Sequence, residues 1–90
     1  MNKSQLVDAV AEQTGQDPKQ VAAIINVTLE AVQVAVAKGD TVQIIGFGSF
    51  ERRFRRAGET RTPQGGTVQL PDRHVPAFKA GAGFKQAVSA

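Results

Sequence analysis

Cysteine is absent from this chain of 90 residues, and histidine occurs once, at His74. Without cysteine there is no disulfide, no thiolate metal site and no cysteine nucleophile. A lone histidine cannot assemble the usual zinc ligand set. Flanked by Arg73, Val75 and Pro76, His74 reads as a solvated surface side chain. The opening Met1-Asn2-Lys3-Ser4-Gln5 has no apolar core of the signal-peptide kind, and no apolar run reads as long enough to cross a membrane. Gly46-Phe47-Gly48 lacks the third glycine and the length of a phosphate-cradling loop and reads as a hairpin turn. Asp8, Glu12, Asp17, Glu30 and Asp40 fall at helix caps or on polar helix faces, where solvation explains them. These absences predict a cytoplasmic protein that is not an enzyme and has no membrane association, metal, cofactor or small-molecule substrate.

Ninety residues suffice for one domain and barely suffice for a self-sufficient core. If part of the chain projects into solvent, a partner chain is needed to complete that core. The net charge of +3 hides an asymmetry. Lys3, Lys19 and Lys38 against the five carboxylates above leave residues 1–50 at −2. Six arginines, Lys79 and Lys85 against Glu51, Glu59 and Asp72 leave residues 51–90 at +5. A mildly acidic scaffold joined to an arginine-rich surface points to a polyanionic partner, since the planar guanidinium suits phosphate contacts and groove insertion.

Local signals predict the elements. Asn2 caps a first helix and Gln5 reaches back as in a capping box; Leu6, Val7, Val10, Ala11 and Thr14 follow at helical spacing, and Gly15 ends it. Asp17-Pro18-Lys19-Gln20 opens a second helix, with Gln20 completing the box. Val21, Ile24, Ile25, Thr28, Leu29, Val32 and Val36 form its stripe. Val27 and Val34 lie off the stripe, so the helix is apolar on more than one face, as one packed on a second subunit would be. Thr41–Ile45 and Ser49–Arg56 read as strands joined at Gly46-Phe47-Gly48. On the second strand Phe50, Arg52, Phe54 and Arg56 share one face, and Glu51, Arg53 and Arg55 the other. Residues 57–67 have no apolar periodicity and read as a turn-rich tip. Val68–Leu70 returns, Val75–Phe78 is a third sheet segment with Pro76 on an edge or at a bulge, and a short helix carries Phe84, Ala87 and Val88.

Glu51-Arg52-Arg53-Phe54-Arg55-Arg56 places four arginines within five positions of one strand. Charge alone protects sheet edges, but edge protection needs neither arginine in particular nor a long polar extension beyond. The pattern therefore favours nucleic-acid binding. At the tip, Arg61-Thr62-Pro63-Gln64 reads equally as a turn and as an apolar wedge that enters between base pairs, with Arg61 placed for the negative minor groove.

Taken together, these segments resemble the HU and integration host factor family of bacterial DNA-bending proteins, which are themselves standard examples of minor-groove architectural binders. The resemblance spans essentially the whole chain and rests on Met1–Leu6, Gly46-Phe47-Gly48-Ser49-Phe50, the arginine-rich strand, Arg61-Thr62-Pro63-Gln64 and Val75-Pro76-Ala77-Phe78-Lys79. It implies an α+β fold built as an intertwined homodimer, with a helical base, a β-saddle and two protruding β-hairpin arms. On that plan residues 1–40 form the dimerisation base, 41–81 the saddle with an arm at about 53–74, and 82–90 a C-terminal helix. Phe47, Phe50 and Phe78 become dimer-core aromatics. Lys3, Arg53, Arg55, Arg56, Arg61, Pro63, Lys79 and Lys85 become DNA contacts, with Pro63 intercalating. The chain departs from the family pattern at Thr62 and Gly65 in the tip, at Ala57-Gly58-Glu59, in a return strand about one residue short, and at Gly83 and Gln86, where lysines are usual. Phe54 has two open readings: packing on the partner's arm, or stacking on a sugar.

The function so implied is architectural, largely sequence-nonspecific binding and bending of double-stranded DNA in the bacterial nucleoid, through the phosphate backbone and minor groove. The alternatives are a site-specific bender like integration host factor and a dimeric structural module with weakened DNA binding. A mixed dimer with a paralogue and binding of RNA stay open at this stage.

Overall fold

The structure is a computed structural model that describes the backbone of residues 1–90 and every side chain except that of Thr60. It is α+β. Helices α1 (Lys3–Thr14) and α2 (Pro18–Ala37) come first, then strands β1 (Val42–Ile44), β2 (Gly48–Arg55), β3 (Gly58–Arg61), β4 (Thr67–Leu70) and β5 (Arg73–Ala80), then helix α3 (Ala82–Ser89). The chain divides into two compact units, Met1–Val34 and Ala35–Ala90.

In the first unit both halves of the predicted capping box at Asn2 and Gln5 are present, each at 2.9 Å. Gly15 ends α1 at φ 72°, a left-handed conformation that glycine adopts without steric cost. At the start of α2 the Lys19 amide donates to Asp17 Oδ1 at 3.1 Å. The reciprocal bond expected from Gln20 is not made among the described side chains, so this is a simple cap and not a box. Val7, Ala11 and Val21 are buried, with Val10, Ala22 and Ile25 packed on them.

That small cluster does not absorb α2. Ile24 is 66% exposed and Val27 64%, with Leu29 and Val34 also exposed. Ile24 and Leu29 were expected on the core stripe. The buried and half-buried positions are instead Val21, Ala22, Ile25, Val32, Ala35 and Val36, which leaves Ile24, Val27, Ala31 and Val34 as a second apolar stripe at helical spacing. The expectation that no run is long and apolar enough to cross a membrane is corrected here too: α2, at 20 residues, meets that test by length and composition. Gln20, Asn26, Glu30 and Gln33 interrupt it, and a helix apolar on two faces passes such a test whether lipid or protein covers it.

In the second unit β1, β2 and β5 form one antiparallel sheet in the order β1-β2-β5, and β3 with β4 forms a separate two-stranded ribbon. Residues 58–61, read from sequence as part of a turn-rich tip, are a strand. Periodicity could not reveal it, because Gly58-Glu59-Thr60-Arg61 has no apolar residue of its own; the apolar residues of the ribbon, Val68 and Leu70, are on β4. Pro76 lies in β5, an edge strand, where its missing N–H costs no ladder bond.

The β1–β2 turn is tight for a definite reason. A Cβ at Gly48 would come within 2.6 Å of both the Lys79 carbonyl oxygen and the Phe78 ring. Only glycine lets that ring lie across the strand. Likewise a Cβ at Gly83 would meet the Gly46 carbonyl oxygen at 2.7 Å, so the first turn of α3 seats against the β1–β2 turn where a lysine would have to push it away. The Gly81 amide donates to the Phe47 carbonyl at 2.8 Å and ties the two segments together.

Candidate nucleic-acid interface

The β2–β5 register sorts the side chains of the second unit. The rungs are Ser49 with Lys79, Phe50 with Phe78, Glu51 with Ala77, Arg52 with Pro76, Arg53 with Val75, Phe54 with His74, and Arg55 with Arg73. Residues opposite one another in an antiparallel ladder share a face, and successive rungs alternate faces. One face therefore carries Ser49, Glu51, Arg53, Arg55, Arg73, Val75, Ala77 and Lys79. The other carries Phe50, Phe78, Phe54, His74, Pro76 and Arg52, continued on β1 by Val42 and Ile44 opposite Phe50 and Gly48.

On the basic face the structure brings together three predicted residues, Arg53, Arg55 and Lys79. It adds Arg73, which sequence reasoning counted only as charge: the signal was its separation from the arginine run, and only the register puts it beside Arg55. Glu51 is the one carboxylate on this face, and its Oε1 is 2.9 Å from an Arg53 guanidinium nitrogen and accepts from Nε at 3.1 Å. Both side chains are well solvated, so the pair contributes little to stability. Arg56 lies one residue beyond β2 and belongs to no rung. Lys85 is on α3. Lys3, on α1, donates to Asn26 Oδ1 at 2.8 Å.

Arg52 has a different job. Its guanidinium donates to the Ala37 carbonyl at 3.2 Å, satisfying one of the bare carbonyls at the end of α2 and complementing the helix dipole.

The aromatic face gathers the three phenylalanines expected in a dimer core and a fourth. Phe50 and Phe78 have ring centroids 4.9 Å apart, Phe47 and Phe78 5.5 Å, and Phe84 joins at 5.2 Å from Phe47. The cluster is poorly covered: Phe47 is 43% and Phe78 42% exposed. Phe54 stands on the aromatic face and meets His74 edge-on at 5.5 Å.

Between ladder and ribbon the strands break at Arg56-Ala57 and at Pro71-Asp72. Asp72 bridges the break, its carboxylate accepting from the Ala57 amide. Beyond it the Glu59 carboxylate accepts from the Gln69 amide at 3.0 Å across the rung that pairs them. At the tip the Thr62 and Gly66 backbones close a hairpin around Pro63 and Gln64, with the Gly65 amide donating to the Thr62 carbonyl at 3.0 Å. Thr62 Oγ1 accepts from the Gly66 amide at 3.1 Å, and Gly65 sits at φ 89°. A type I turn followed by a left-handed residue matches this pattern. Thr62 and Gly65, both departures from the family tip, thus form a well-bonded turn with Pro63 at its crest and Arg61 just before it.

The family model described as bacterial DNA-binding protein matches residues 1–89. The DNA-binding protein HU of Staphylococcus aureus is 46% identical over 89 residues, covering 98% of this chain and 99% of that one. Among solved structures, an Anabaena HU–DNA cocrystal structure superposes with a TM-score of 0.88 at 46% identity, covering 99% of this chain and 98% of that one. HU from Thermotoga maritima superposes at 0.70 with 36% identity, covering 98% of each chain. The chain belongs to the bacterial DNA-binding protein family, and its fold is the HU and integration host factor fold with β-arms.

Asp72→Ala removes the one side-chain bridge across the break between ladder and ribbon. The Ala57 amide is then expected to exchange with solvent about five- to tenfold faster, because a lost hydrogen bond of about 1–1.5 kcal/mol shifts opening by that factor. The ladder amides of β2 and β5 should keep their protection. Residue-resolved hydrogen exchange by NMR reads both; an unchanged Ala57 rate would show that the bridge holds nothing.

Proposed function

We propose that this chain is an architectural binder of double-stranded DNA that works as a homodimer in the bacterial cytoplasm, at the nucleoid. The observation that carries the reading is the β2–β5 register, which sets Arg53, Arg55, Arg73 and Lys79 on one face and leads from it into a ribbon tipped by Arg61 and Pro63. Contacts of this kind go to phosphates and bring little sequence preference. Arg56, Lys3 and Lys85 are assigned supporting phosphate contacts. Pro63 is assigned the wedge that opens a base step from the minor groove, an unstacking cost repaid by contact with the bent duplex.

The apolar surface supports the second copy. The chain exposes 7344 Å², whereas about 5,000 Å² is usual for a folded monomer of this mass. Among the described residues no large side chain is fully buried. A second copy covering the outer stripe of α2 and the Phe47, Phe50 and Phe78 cluster removes that excess; residues 1–40 then act as the dimerisation base, 41–81 as saddle and arm, and 82–90 as the closing helix.

Sedimentation at micromolar concentration should give a dimer at every concentration where the protein is folded; a folded monomer would refute the assembly. Titration of a mixed-sequence duplex tests the binding itself. About 8–10 phosphate contacts per dimer predict a slope of log affinity against log salt near −7 to −9, and Arg55→Ala in both subunits should make it about two units shallower. A slope near zero would sink the reading.

Pro63 carries no charge and adds nothing to counterion release. Pro63→Ala leaves the opened base step partly unfilled and loosens the turn. It is expected to preserve the salt slope, reduce the bend, and erase much of any preference for nicked or mismatched DNA. Energy transfer across end-labelled duplexes at saturation measures the bend. Full bending by the variant would reduce the arm to an electrostatic clamp.

A further inference from the structure

Like charges directly opposite one another in a ladder repel and weaken the sheet. Arg55 and Arg73 form such a rung, the last before the strands break. Side chains on one rung of an antiparallel ladder leave the backbone about 5 Å apart on the same face, so two arginines start side by side and both can reach one point in front of that face.

Neither is neutralised by a neighbour. The only carboxylate on that face, Glu51, holds Arg53, and that is the only ion pair among the described residues. Asp72, next in sequence to Arg73, is committed to the Ala57 amide. Arg73 makes one marginal contact, to the Pro71 carbonyl at 3.5 Å. Protecting an exposed strand requires a charge somewhere along it, not two like charges on one rung. An arrangement that costs stability when free is explained by an anion that both groups reach when bound.

We infer that Arg55 and Arg73 form a two-guanidinium clamp on a single phosphate of the DNA backbone. The inference rests on the DNA-binding reading above. Two planar forks suit the oxygens of one phosphodiester better than two ammonium groups would. The clamp lies between Arg53 on the ladder and the arm that carries Arg61, so it fixes the register of the duplex where the arm departs.

Sharing one phosphate makes the two residues interdependent, and a double-mutant cycle reads this. Wild type, Arg55→Ala, Arg73→Ala and the double variant are titrated with a mixed-sequence duplex across a salt series. Each single variant is expected to lose about tenfold in affinity, with the slope about two units shallower for the two subunits together. The double variant should fall within about threefold of either single one, where independent contacts would multiply to about a hundredfold. Arg73→Lys, which keeps the charge and loses the fork, should recover only part of the loss. The urea midpoint of Arg73→Ala should equal or exceed that of wild type, because the repulsive rung is gone. Multiplicative losses, wild-type affinity in Arg73→Ala, or a lowered urea midpoint would each overturn the clamp while leaving DNA binding intact. A wild-type protein that does not bind duplex DNA at low salt would instead overturn the reading on which the clamp rests.

Discussion

Antiparallel pairing of β2 with β5 imposes a period of two on everything the second unit presents. Phe50 sits opposite Phe78, Phe54 opposite His74 and Arg55 opposite Arg73, so aromatic side chains collect on one face and most of the basic ones on the other. A slip of one residue on either strand would put phenylalanine across from lysine or alanine and dissolve both faces at once. Two devices protect this register. Gly48 admits the Phe78 ring where any side chain would collide with it, and the Arg52 guanidinium on the Ala37 carbonyl anchors β2 to the end of α2. Basic surface and aromatic cluster are thus two consequences of one alignment.

The same alignment explains why the chain is incomplete alone. A three-stranded sheet with a basic, wet face has one apolar face, and that face needs a cover. Phe47 and Phe78 are each more than two-fifths exposed, and α2 adds an uncovered stripe of its own. In the proposed dimer a second copy would supply that cover, and polyanion binding and dimer formation would then draw on opposite faces of one sheet.

The arm follows a separate logic. The apolar side of its ribbon is small, Val68 and Leu70, neither of them buried, and its order comes from backbone pairing, the Glu59–Gln69 bond, the Asp72 bridge and the closed turn at Thr62–Gly66. Such an element has few buried contacts to lose and belongs to the low-stability end of a fold. The departures from the family pattern are absorbed locally. Thr62 supplies the acceptor that the turn needs, and Gly65 takes the left-handed position. Gly83 allows α3 to press on the Gly46 carbonyl.

Several features were legible in the residues themselves because their causes are local. The Asn2–Gln5 capping box, the Gly15 stop, the start at Asp17-Pro18, the two faces of β2 and the edge position of Pro76 follow from backbone stereochemistry within a few positions. The charge split between the halves also follows from sequence, and it pointed to a polyanion before any fold was in view. Other features depend on distant segments meeting. The strand at 58–61 exists because 67–70 pairs with it, not because its own residues alternate. Ile24 and Leu29 share the helical period of the core positions, and only packing on α1 decides which of the two apolar stripes is buried. Arg73 lies 18 positions from Arg55, and Phe54 lies 20 from His74; no spacing rule links them, because a ladder's register is set by the sum of its rungs. The sequence by itself determined the helices, most of the strands, the α1 capping box and the sign of the partner's charge, all short-range effects. The tertiary structure decided which side chains share a face and which stripe is buried, because strand pairing and helix packing act between residues far apart in the chain.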